Sequence, residues 1–194
     1  MILALAQVKG GSSKTTVAIH LAAALARRDP RARVELLDGD PQRAALQWAE
    51  RGALPFTVRP ATLGATPEAE HVVVDTAAGE ATADLEALAR AADRLVVPAR
   101  PSPLDLLATF TTLDALEGAN PVVLLTMCPP APQADALEAR HLLASAGAHV
   151  LTTEVPARKA YQRAALEGVT VLEAPRVGAD LWPAWPALLR EVNA

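Results

Sequence analysis

The feature that most constrains the fold is an alternation of short apolar runs with longer stretches rich in alanine and leucine. Runs such as His71–Asp75 and Pro121–Met127 are almost continuously apolar, which is typical of strands buried on both faces of a sheet. The intervening stretches, such as Lys14–Arg28, have the length of helices. Strand and helix in alternation predict an α/β fold, in which a mostly parallel, twisted sheet carries helices on both faces.

The predicted elements cover the whole chain. Strands are predicted at Ile2–Val8, Val34–Asp38, Phe56–Arg59, His71–Asp75, Arg94–Pro98, Pro121–Met127 and His149–Thr152. Helices are predicted at Lys14–Arg28, Gln42–Arg51, Thr82–Ala92, Pro103–Glu117, Ala134–Ala146, Arg158–Glu167 and Leu181–Val192. No long linker divides the chain, so we expect residues 1–194 to form a single domain. Ligands of such sheets bind beyond the carboxyl ends of the strands, and the strand ends are therefore the places to search.

Composition excludes several classes of protein. Apolar residues make up 51% of the chain and charged residues 21%, which is typical of a folded protein. The net charge is −4, so the chain is not a general polycation for nucleic acid, although a local basic patch stays open. Cys128 is the single cysteine, so neither an internal disulfide nor a multi-thiolate metal site is expected. Since no apolar run reaches the ~18 residues of a membrane span and no secretory signal is recognisable, we expect a cytoplasmic protein.

A glycine-containing loop follows the first predicted strand. It leads directly into the helix predicted from Lys14, and it reads Lys9-Gly10-Gly11-Ser12-Ser13-Lys14-Thr15. Backbone N–H groups in such a loop, together with the helix N-terminus, bind phosphate oxygens. Lys14 is placed to reach the β and γ phosphates, and the Thr15 hydroxyl to bind Mg²⁺. The standard G-x-x-x-x-G-K-[ST] pattern is not matched, because Val8 and Ser13 stand at its two glycine positions.

The additional lysine, Lys9, makes this loop resemble that of the ParA/MinD family of deviant Walker A ATPases, which usually reads K-G-G-x-G-K-[ST]. Ser13 replaces the last glycine, and a left-handed backbone there would cost serine about 1 kcal/mol relative to glycine. The resemblance extends from Lys9 to about Glu173 and implies a P-loop ATPase that uses ATP and Mg²⁺. It implies that the loop contacts ATP through Lys9, Gly10, Gly11, Ser12, Ser13, Lys14, Thr15 and Thr16.

The second predicted strand ends in Asp38-Gly39-Asp40-Pro41-Gln42, which resembles the D-x-D-P-Q segment of the family. Alternate carboxylates at a strand end point to opposite faces, so Asp38 and Asp40 are expected to flank one spot. By resemblance, Asp40 orients or deprotonates the attacking water and Asp38 supports the Mg²⁺ shell. The alternative for Asp40 is capping of the helix that begins near Pro41, and the two roles are compatible.

The fourth predicted strand also ends in an aspartate, and it resembles a Walker B segment. Asp75 is expected to hold Mg²⁺, as a hard oxygen ligand does, and Gly79 to approach the γ-phosphate. The resemblance thus assigns the metal to Thr15, Asp38 and Asp75. It assigns catalysis to Lys9, Lys14 and Asp40, with Lys9 reaching the phosphates of a second subunit.

Three later segments supply further expectations. The proline-rich loop that contains Pro101 and the strand end at Met127 resemble the parts of small ParA proteins that contact the base. The segment from Arg158 resembles the C-terminal part of the same proteins. Its cations are expected to bind DNA phosphates, with an ordinary solvated helix face as the alternative; they are Arg158, Lys159, Arg163 and Arg176.

The implied function is that of a small, stand-alone ParA-like partition ATPase. Such a protein binds ATP, forms a nucleotide sandwich dimer, binds DNA non-specifically and positions a plasmid, a chromosome or a protein cluster. A ParB-like partner stimulates its hydrolysis, and the ATP-bound form is associated with the nucleoid. The alternatives are a MinD-like membrane-associated ATPase, a biosynthetic P-loop enzyme on the same fold and, given Ser13, a nucleotide-binding protein without turnover. No membrane is expected, because prolines at 183 and 186 interrupt the C-terminal helix and little positive charge accompanies it.

Overall fold

The computed structural model describes residues 1–62, 68–79, 82–130, 134–174 and 178–193. The strands are β1 (Ile2–Leu5), β2 (Val34–Asp38), β3 (Thr57–Pro60), β4 (His71–Asp75), β5 (Arg94–Ala99), β6 (Val122–Cys128), β7 (His149–Val150) and β8 (Val155–Pro156). The helices are α1 (Lys14–Arg28), α2 (Ala44–Glu50), α3 (Thr82–Ala91), α4 (Pro103–Ala115), α5 (Asp135–Ser145), α6 (Lys159–Glu167) and α7 (Ala184–Val192). A 3-10 turn spans Ala179–Leu181.

The strands form a parallel sheet in the order β3-β2-β4-β1-β5-β6-β7, and β8 also pairs with β6. Strand β1 lies in the middle, between β4 and β5. Its neighbours are in register, so that Leu5 faces Asp75 and Asp75 faces Asp38 on the next strand. The chain segments that follow β1, β2 and β4 therefore leave the sheet side by side at its carboxyl edge.

Each face of the sheet carries a hydrophobic core, as the alternation of side chains in β1 illustrates. Leu3 and Leu5 pack into one core together with α1, α2, α6 and α7. Ala4 points to the opposite face and packs into a second core with α3, α4 and α5. Helix α1 is buried along most of its length, so the helix that begins at the glycine-containing loop is fixed firmly against the sheet. The predicted α/β fold with helices on both faces is confirmed.

Some boundaries differ from those predicted. Strand β1 ends at Leu5 rather than Val8, because the next residues turn to bind α4: Gln7 Nε2 donates to Thr109 Oγ1 at 3.1 Å. Strand β8 was not predicted, since two residues are too short to give a periodic pattern.

The predicted helix Leu181–Val192 is divided in the structure. A 3-10 turn ends at Leu181, and α7 begins only at Ala184, after Pro183. A proline lacks a backbone N–H and fits the first turn of a helix, which explains why the helix starts here. Trp185 is completely buried, and α7 packs on α1. Among the described residues, we find no helix with the length and hydrophobicity that crossing a membrane requires.

Candidate nucleotide site

The glycine-containing loop connects β1 to α1 at the centre of the sheet edge. Gly11 and Ser13 both have left-handed backbones, with φ of 77° and 76°. Ser13 is the residue that precedes α1, and its carbonyl accepts the first helical hydrogen bond, from Val17 N at 2.9 Å. The loop thus turns sharply into the helix, and the N–H groups of the first turn of α1 point towards the sheet edge, as an anion-binding helix terminus requires.

Lys14 lies at the start of α1 and is only 6% exposed. Its ammonium donates to the carbonyl oxygen of Gln7, at 3.2 Å, across the mouth of the loop. A cation that is largely desolvated attracts phosphate oxygens more strongly than an exposed one does. The position of Lys14 therefore fits the phosphate-binding role that the sequence predicts.

A buried glutamine, Gln7, anchors the base of the loop to α4. Its amide nitrogen donates to Pro98 O and to Thr109 Oγ1, each at 3.1 Å. Its amide oxygen accepts from Thr112 Oγ1 at 2.7 Å and from Lys9 N at 3.4 Å. Sequence reasoning missed this residue, because its partners lie about a hundred positions further along the chain. The spacing of Thr109 and Thr112, which share one face of a helix, was the available signal.

Lys9 forms an ion pair with Asp105 in the first turn of α4. Its Nζ lies 2.7 Å from Asp105 Oδ1, and the two side chains are 39% and 8% exposed. Asp105 Oδ2 accepts a hydrogen bond from the Ser102 hydroxyl. Although burial alone would raise the pKa of Asp105, the hydrogen bonds from Lys9 and Ser102 hold it below its ordinary value. Sequence reasoning missed Asp105 too, although Ser102-x-x-Asp105 resembles a helix-capping pattern.

Asp75, at the end of β4, is completely buried. Neither of its carboxylate oxygens has a hydrogen-bond partner among the described residues. Burial raises its pKa to about 7; the nearby Thr15 side chain and the Lys14 ammonium oppose this increase, whereas Asp38 adds to it. A buried carboxylate without partners, beside a threonine hydroxyl, fits a hard divalent cation such as Mg²⁺.

Few protein side chains are available to such a cation. Within the described ranges, no group of three or more histidine, cysteine, aspartate or glutamate side chains could hold a metal ion. Mg²⁺ is commonly held by one or two protein side chains together with water and substrate phosphates. The arrangement around Asp75 and Thr15 therefore suits a metal that arrives with a nucleotide.

Asp38 and Asp40 have different surroundings. Both oxygens of Asp38 accept backbone hydrogen bonds, Oδ1 from Asp40 N at 3.1 Å and Oδ2 from Leu46 N at 3.0 Å. Asp40 Oδ1 accepts from Gln42 N at 2.8 Å. Because β2 ends at Asp38, the expected alternation of the two carboxylates does not continue to Asp40, which lies in a turn. The helix capping considered for Asp40 is not present, because α2 begins only at Ala44, after Arg43, and Asp40 accepts its hydrogen bond within the preceding turn. The catalytic role of Asp40 stays a prediction.

The loop after β4 runs beside the glycine-containing loop. Thr76 Oγ1 donates to Leu5 O at 2.7 Å, which ties the end of β4 to the end of β1. Gly79 has φ of 74°, and a Cβ atom at this position would be 4.0 Å from Val8 O. The left-handed backbone explains why a glycine stands at this position. Gly79 lies next to the glycine-containing loop, which agrees with its predicted approach to the γ-phosphate.

The segments proposed for base contact lie on the other side of the loop. Thr126 Oγ1 donates to Ser12 O at 3.1 Å, so the end of β6 contacts the glycine-containing loop. The next residue, Met127, has φ of 53° and is 38% exposed. Pro101 is half-buried and lines a groove between α4 and α5. The base-contact roles of Pro101 and Met127 stay predictions.

The candidate DNA-binding cations cluster at the start of α6. Arg158 precedes the helix, and Lys159 and Arg163 follow on it, and all three side chains are exposed. Arg163 pairs with Glu167 at 3.4 Å, which offsets part of its charge. Leu166, 74% exposed, lies on the same helix. Arg176 lies outside the described residues.

Comparison with known proteins identifies chains of similar sequence and fold. Residues 3–171 match the family model described as the CobQ/CobB/MinD/ParA nucleotide binding domain. The chain is 40% identical over 184 residues to the maintenance of carboxysome distribution protein A of Gloeobacter kilaueensis, covering 89% of this chain and 84% of that protein. It is 32% identical to the protein of the same name from Halothiobacillus neapolitanus, covering 88% and 86%. Its fold resembles that of a Cyanothece McdA variant solved with ATP, with a TM-score of 0.77 at 16% identity, covering 99% and 96%.

Proposed function

The chain belongs to the CobQ/CobB/MinD/ParA family of nucleotide-binding domains, and on that premise we propose that it is an ATP-driven, ParA-like positioning ATPase. It hydrolyses ATP, with Mg²⁺ as its metal cofactor. One observation carries the proposal: the buried Lys14 and Asp75 lie together at the centre of the sheet edge, and Asp75 has no hydrogen-bond partner among the described residues. A phosphate-binding loop beside such a carboxylate is what binding of a metal–nucleotide complex needs.

Each residue of the site has its own role in binding or hydrolysis. The loop and Lys14 bind the phosphates, while Thr15 and Asp75 hold Mg²⁺. The metal neutralises charge that develops on the transferred phosphoryl group. Asp40 orients the attacking water, and its hydrogen bond from Gln42 N fixes the direction of the carboxylate. Pro101 and Met127 contact the base.

A homodimer completes the active site. Lys14 already serves the phosphates of its own subunit, so a second ammonium in the same loop is available for those of a partner. We infer that Lys9 crosses to the phosphates of the partner when two ATP-bound subunits meet face to face. The charge of Lys9 then acts in trans, as an arginine finger does, and hydrolysis requires dimerisation.

The ATP-bound dimer binds DNA without sequence preference through α6. The chain has a net charge of −4, so DNA binding needs a localised patch. Arg158, Lys159 and Arg163 supply such a patch at the start of α6. Dimerisation doubles the number of phosphate contacts, and because the two patches then act together, affinity for DNA rises steeply in the dimer. This couples nucleotide state to association with the nucleoid.

The cargo is a protein compartment of the carboxysome type, rather than a plasmid. Two relatives of 40% and 32% identity carry the name maintenance of carboxysome distribution protein A, and each similarity covers most of both chains. A partner protein that is associated with the cargo stimulates hydrolysis, as a ParB-like protein does for a plasmid.

Nucleotide-dependent DNA binding tests the proposal. Purified protein is mixed with DNA duplexes of unrelated sequence, with Mg²⁺ and either ATP, ADP or no nucleotide, over a range of salt concentrations. We expect the protein to bind DNA only when ATP is the nucleotide, with the same affinity for all DNA sequences. Replacing Arg158, Lys159 and Arg163 by glutamine should weaken binding, and the salt slope should fall by about 1 for every phosphate that the variant no longer neutralises.

The controls separate the parts of the proposal. Lys14→Ala should abolish ATP binding and, with it, DNA binding, whereas glutamine replacing the exposed Arg90 on α3 should change neither. Equal DNA binding with and without ATP would contradict the proposed nucleotide dependence. No effect of the triple glutamine variant would contradict the assignment of DNA binding to α6. ATP-dependent binding to anionic vesicles instead of DNA would favour a MinD-like function.

A further inference from the structure

The ion pair between Lys9 and Asp105 holds the additional lysine of the loop inside its own subunit. The Lys9 ammonium is 2.7 Å from Asp105 Oδ1. Asp105 is nearly buried, and the Ser102 hydroxyl, which donates to Oδ2, fixes the orientation of its carboxylate. The acceptor is therefore preorganised on α4, and formation of the ion pair orders mainly the lysine side chain.

This position conflicts with the action of Lys9 in trans. To reach the phosphates of a second subunit, the side chain has to extend away from its own α4 and leave Asp105. We propose that Asp105 is a positioning residue that retains Lys9 in the monomer and makes dimerisation depend on exchange of this carboxylate for the partner's phosphates. The inference rests on the proposed function, because it assumes the trans role of Lys9.

The backbone at Lys9 is fixed, so release requires only rotation of the side chain. Lys9 N donates to Gln7 Oε1 at 3.4 Å, and Val8 N donates to Thr112 Oγ1 at 3.2 Å. Thr112 belongs to α4, the helix that also carries Asp105. Because both ends of the contact are attached to α4, the loop does not have to move when the ion pair breaks.

Asp105 retains partners after Lys9 leaves. Arg100 Nε lies 3.9 Å from Asp105 Oδ2, and the Ser102 hydroxyl donates to the same carboxylate. The folded protein is strongly destabilised when a buried carboxylate loses its last partner, but it tolerates a carboxylate that keeps a cation and a hydrogen bond. The exchange is therefore reversible, and Arg100 makes release of Lys9 easier.

The size of the effect follows from the exposure of the pair. An ion pair with one partly exposed member contributes up to about a fivefold factor in an equilibrium constant. Each dimer requires release of two lysines, so the factors multiply to at most about 25-fold if the two sites are independent. A contact of this strength opposes dimerisation of the free protein without preventing that of the ATP-bound form.

The experiment compares Asp105→Asn with wild type. Asparagine keeps the shape and an acceptor for Ser102 but removes the charge that holds Lys9. We expect ATP-dependent dimerisation, measured by analytical ultracentrifugation or light scattering, to tighten by up to about 25-fold, with ATP affinity of the monomer unchanged. Ser102→Ala, which removes the hydroxyl and leaves the ion pair, is the matched control and should show a smaller change.

A double variant tests whether Asp105 acts through Lys9. In a Lys9→Ala background, Asp105→Asn should have no further effect on dimerisation, because the group that it releases is missing. A gain that persists in that background would show that Asp105 acts through the structure of α4 and would overturn the inference. Unchanged or weaker dimerisation of a folded Asp105→Asn protein would also overturn it.

A second measurement needs no substitution at Asp105. The chain has three lysines, Lys9, Lys14 and Lys159, so side-chain NMR of lysine-labelled wild-type protein gives few signals. The Lys9 signal, assigned with Lys9→Arg, should change on dimerisation and not on ATP binding by the monomer. An identical Lys9 signal in monomer and dimer would overturn the inference while leaving the positioning ATPase intact. Wild-type protein that binds ATP and never dimerises would refute the proposed function first.

Discussion

Asp38 and Asp75 are register partners in neighbouring strands, yet only Asp38 is hydrogen-bonded within the described structure. Asp38 uses both oxygens to accept backbone N–H groups of the turn and helix that follow it. Asp75 keeps both oxygens without a partner in the same described region, and burial raises its pKa to about 7. The two carboxylates thus differ in their surroundings: Asp38 is hydrogen-bonded to the segment after β2, whereas the environment of Asp75 fits a metal ligand. The metal role of Asp38 stays a prediction.

The first prediction concerns the energetic cost of leaving Asp75 unpartnered. Its pKa is 3.8 in the unfolded chain and about 7 in the folded protein, so the folded state of the ligand-free protein becomes less stable as pH rises through this interval. Asp75→Asn should remove this penalty. At pH 8 we expect the variant to be more stable than wild type by up to about 4 kcal/mol, with a much smaller difference at pH 4. Urea denaturation of both proteins at the two pH values measures this difference in stability.

The same variant should lose Mg²⁺-dependent ATP hydrolysis, because the amide is a poor ligand for the metal. Asp38→Asn is the matched control. There the amide nitrogen would meet a backbone N–H donor, so we expect a loss of about 1–3 kcal/mol at both pH values. A destabilised Asp75→Asn protein at pH 8 would contradict the conclusion that the carboxylate lacks a partner.

The fold was predictable because it depends on local patterns. The apolar runs His71–Asp75 and Val34–Asp38 became strands with the predicted boundaries, and Lys14–Arg28 became α1. Each is continuously patterned, so neighbouring residues suffice to identify it. The place of Lys14 and Asp75 at one sheet edge followed from the rule that parallel strands end together.

The rest of the site could not be derived from local patterns. Lys9 and Asp105 are far apart in sequence, and nothing near Lys9 indicates that its ammonium is already paired. The hydrogen bonds of Gln7 also depend on how α4 packs on β1. Single-sequence reasoning identifies which residue types suit phosphate, but the distances between elements decide which side chains already have partners in the monomer.

The second prediction separates the two roles of Asp40. Its Oδ1 accepts from Gln42 N at 2.8 Å, so Asp40→Ala removes a turn hydrogen bond as well as a charge. Asp40→Asn keeps the acceptor and removes only the charge. If the carboxylate orients the attacking water, both variants should bind ATP and lose hydrolysis by at least about 100-fold. Single-turnover measurements check this, and normal turnover by Asp40→Asn would assign the residue to the turn alone.

The third prediction follows from the left-handed backbone at Ser13. Its φ is 76°, a conformation in which a residue with a Cβ atom is strained. Ser13→Gly should therefore stabilise the protein by about 0.5–1 kcal/mol, after the greater flexibility of glycine in the unfolded chain is deducted. Ser12 has no left-handed backbone, so Ser12→Gly should instead destabilise by a similar amount. Thermal melting of both variants measures the difference, and equal effects would contradict the assigned strain.

The last prediction concerns His20, which lies completely buried in α1 and stacks on Trp185 with 4.6 Å between ring centroids. Its Nε2 accepts from Val171 N at 3.1 Å, so the neutral ring carries its proton on Nδ1, 2.7 Å from Thr16 O. Burial lowers its pKa from 6.5 to about 4, which means that the unfolded chain binds a proton that the folded protein rejects. The stability contributed by neutral His20 is complete above pH 6.5 and is lost as pH falls towards 4, by up to about 3 kcal/mol. Urea denaturation at pH 7 and pH 4.5 should show a smaller pH dependence for His20→Gln than for wild type, whereas the exposed control His141→Gln should follow wild type. Parallel pH profiles for wild type and His20→Gln would mean that other groups cause the acid sensitivity.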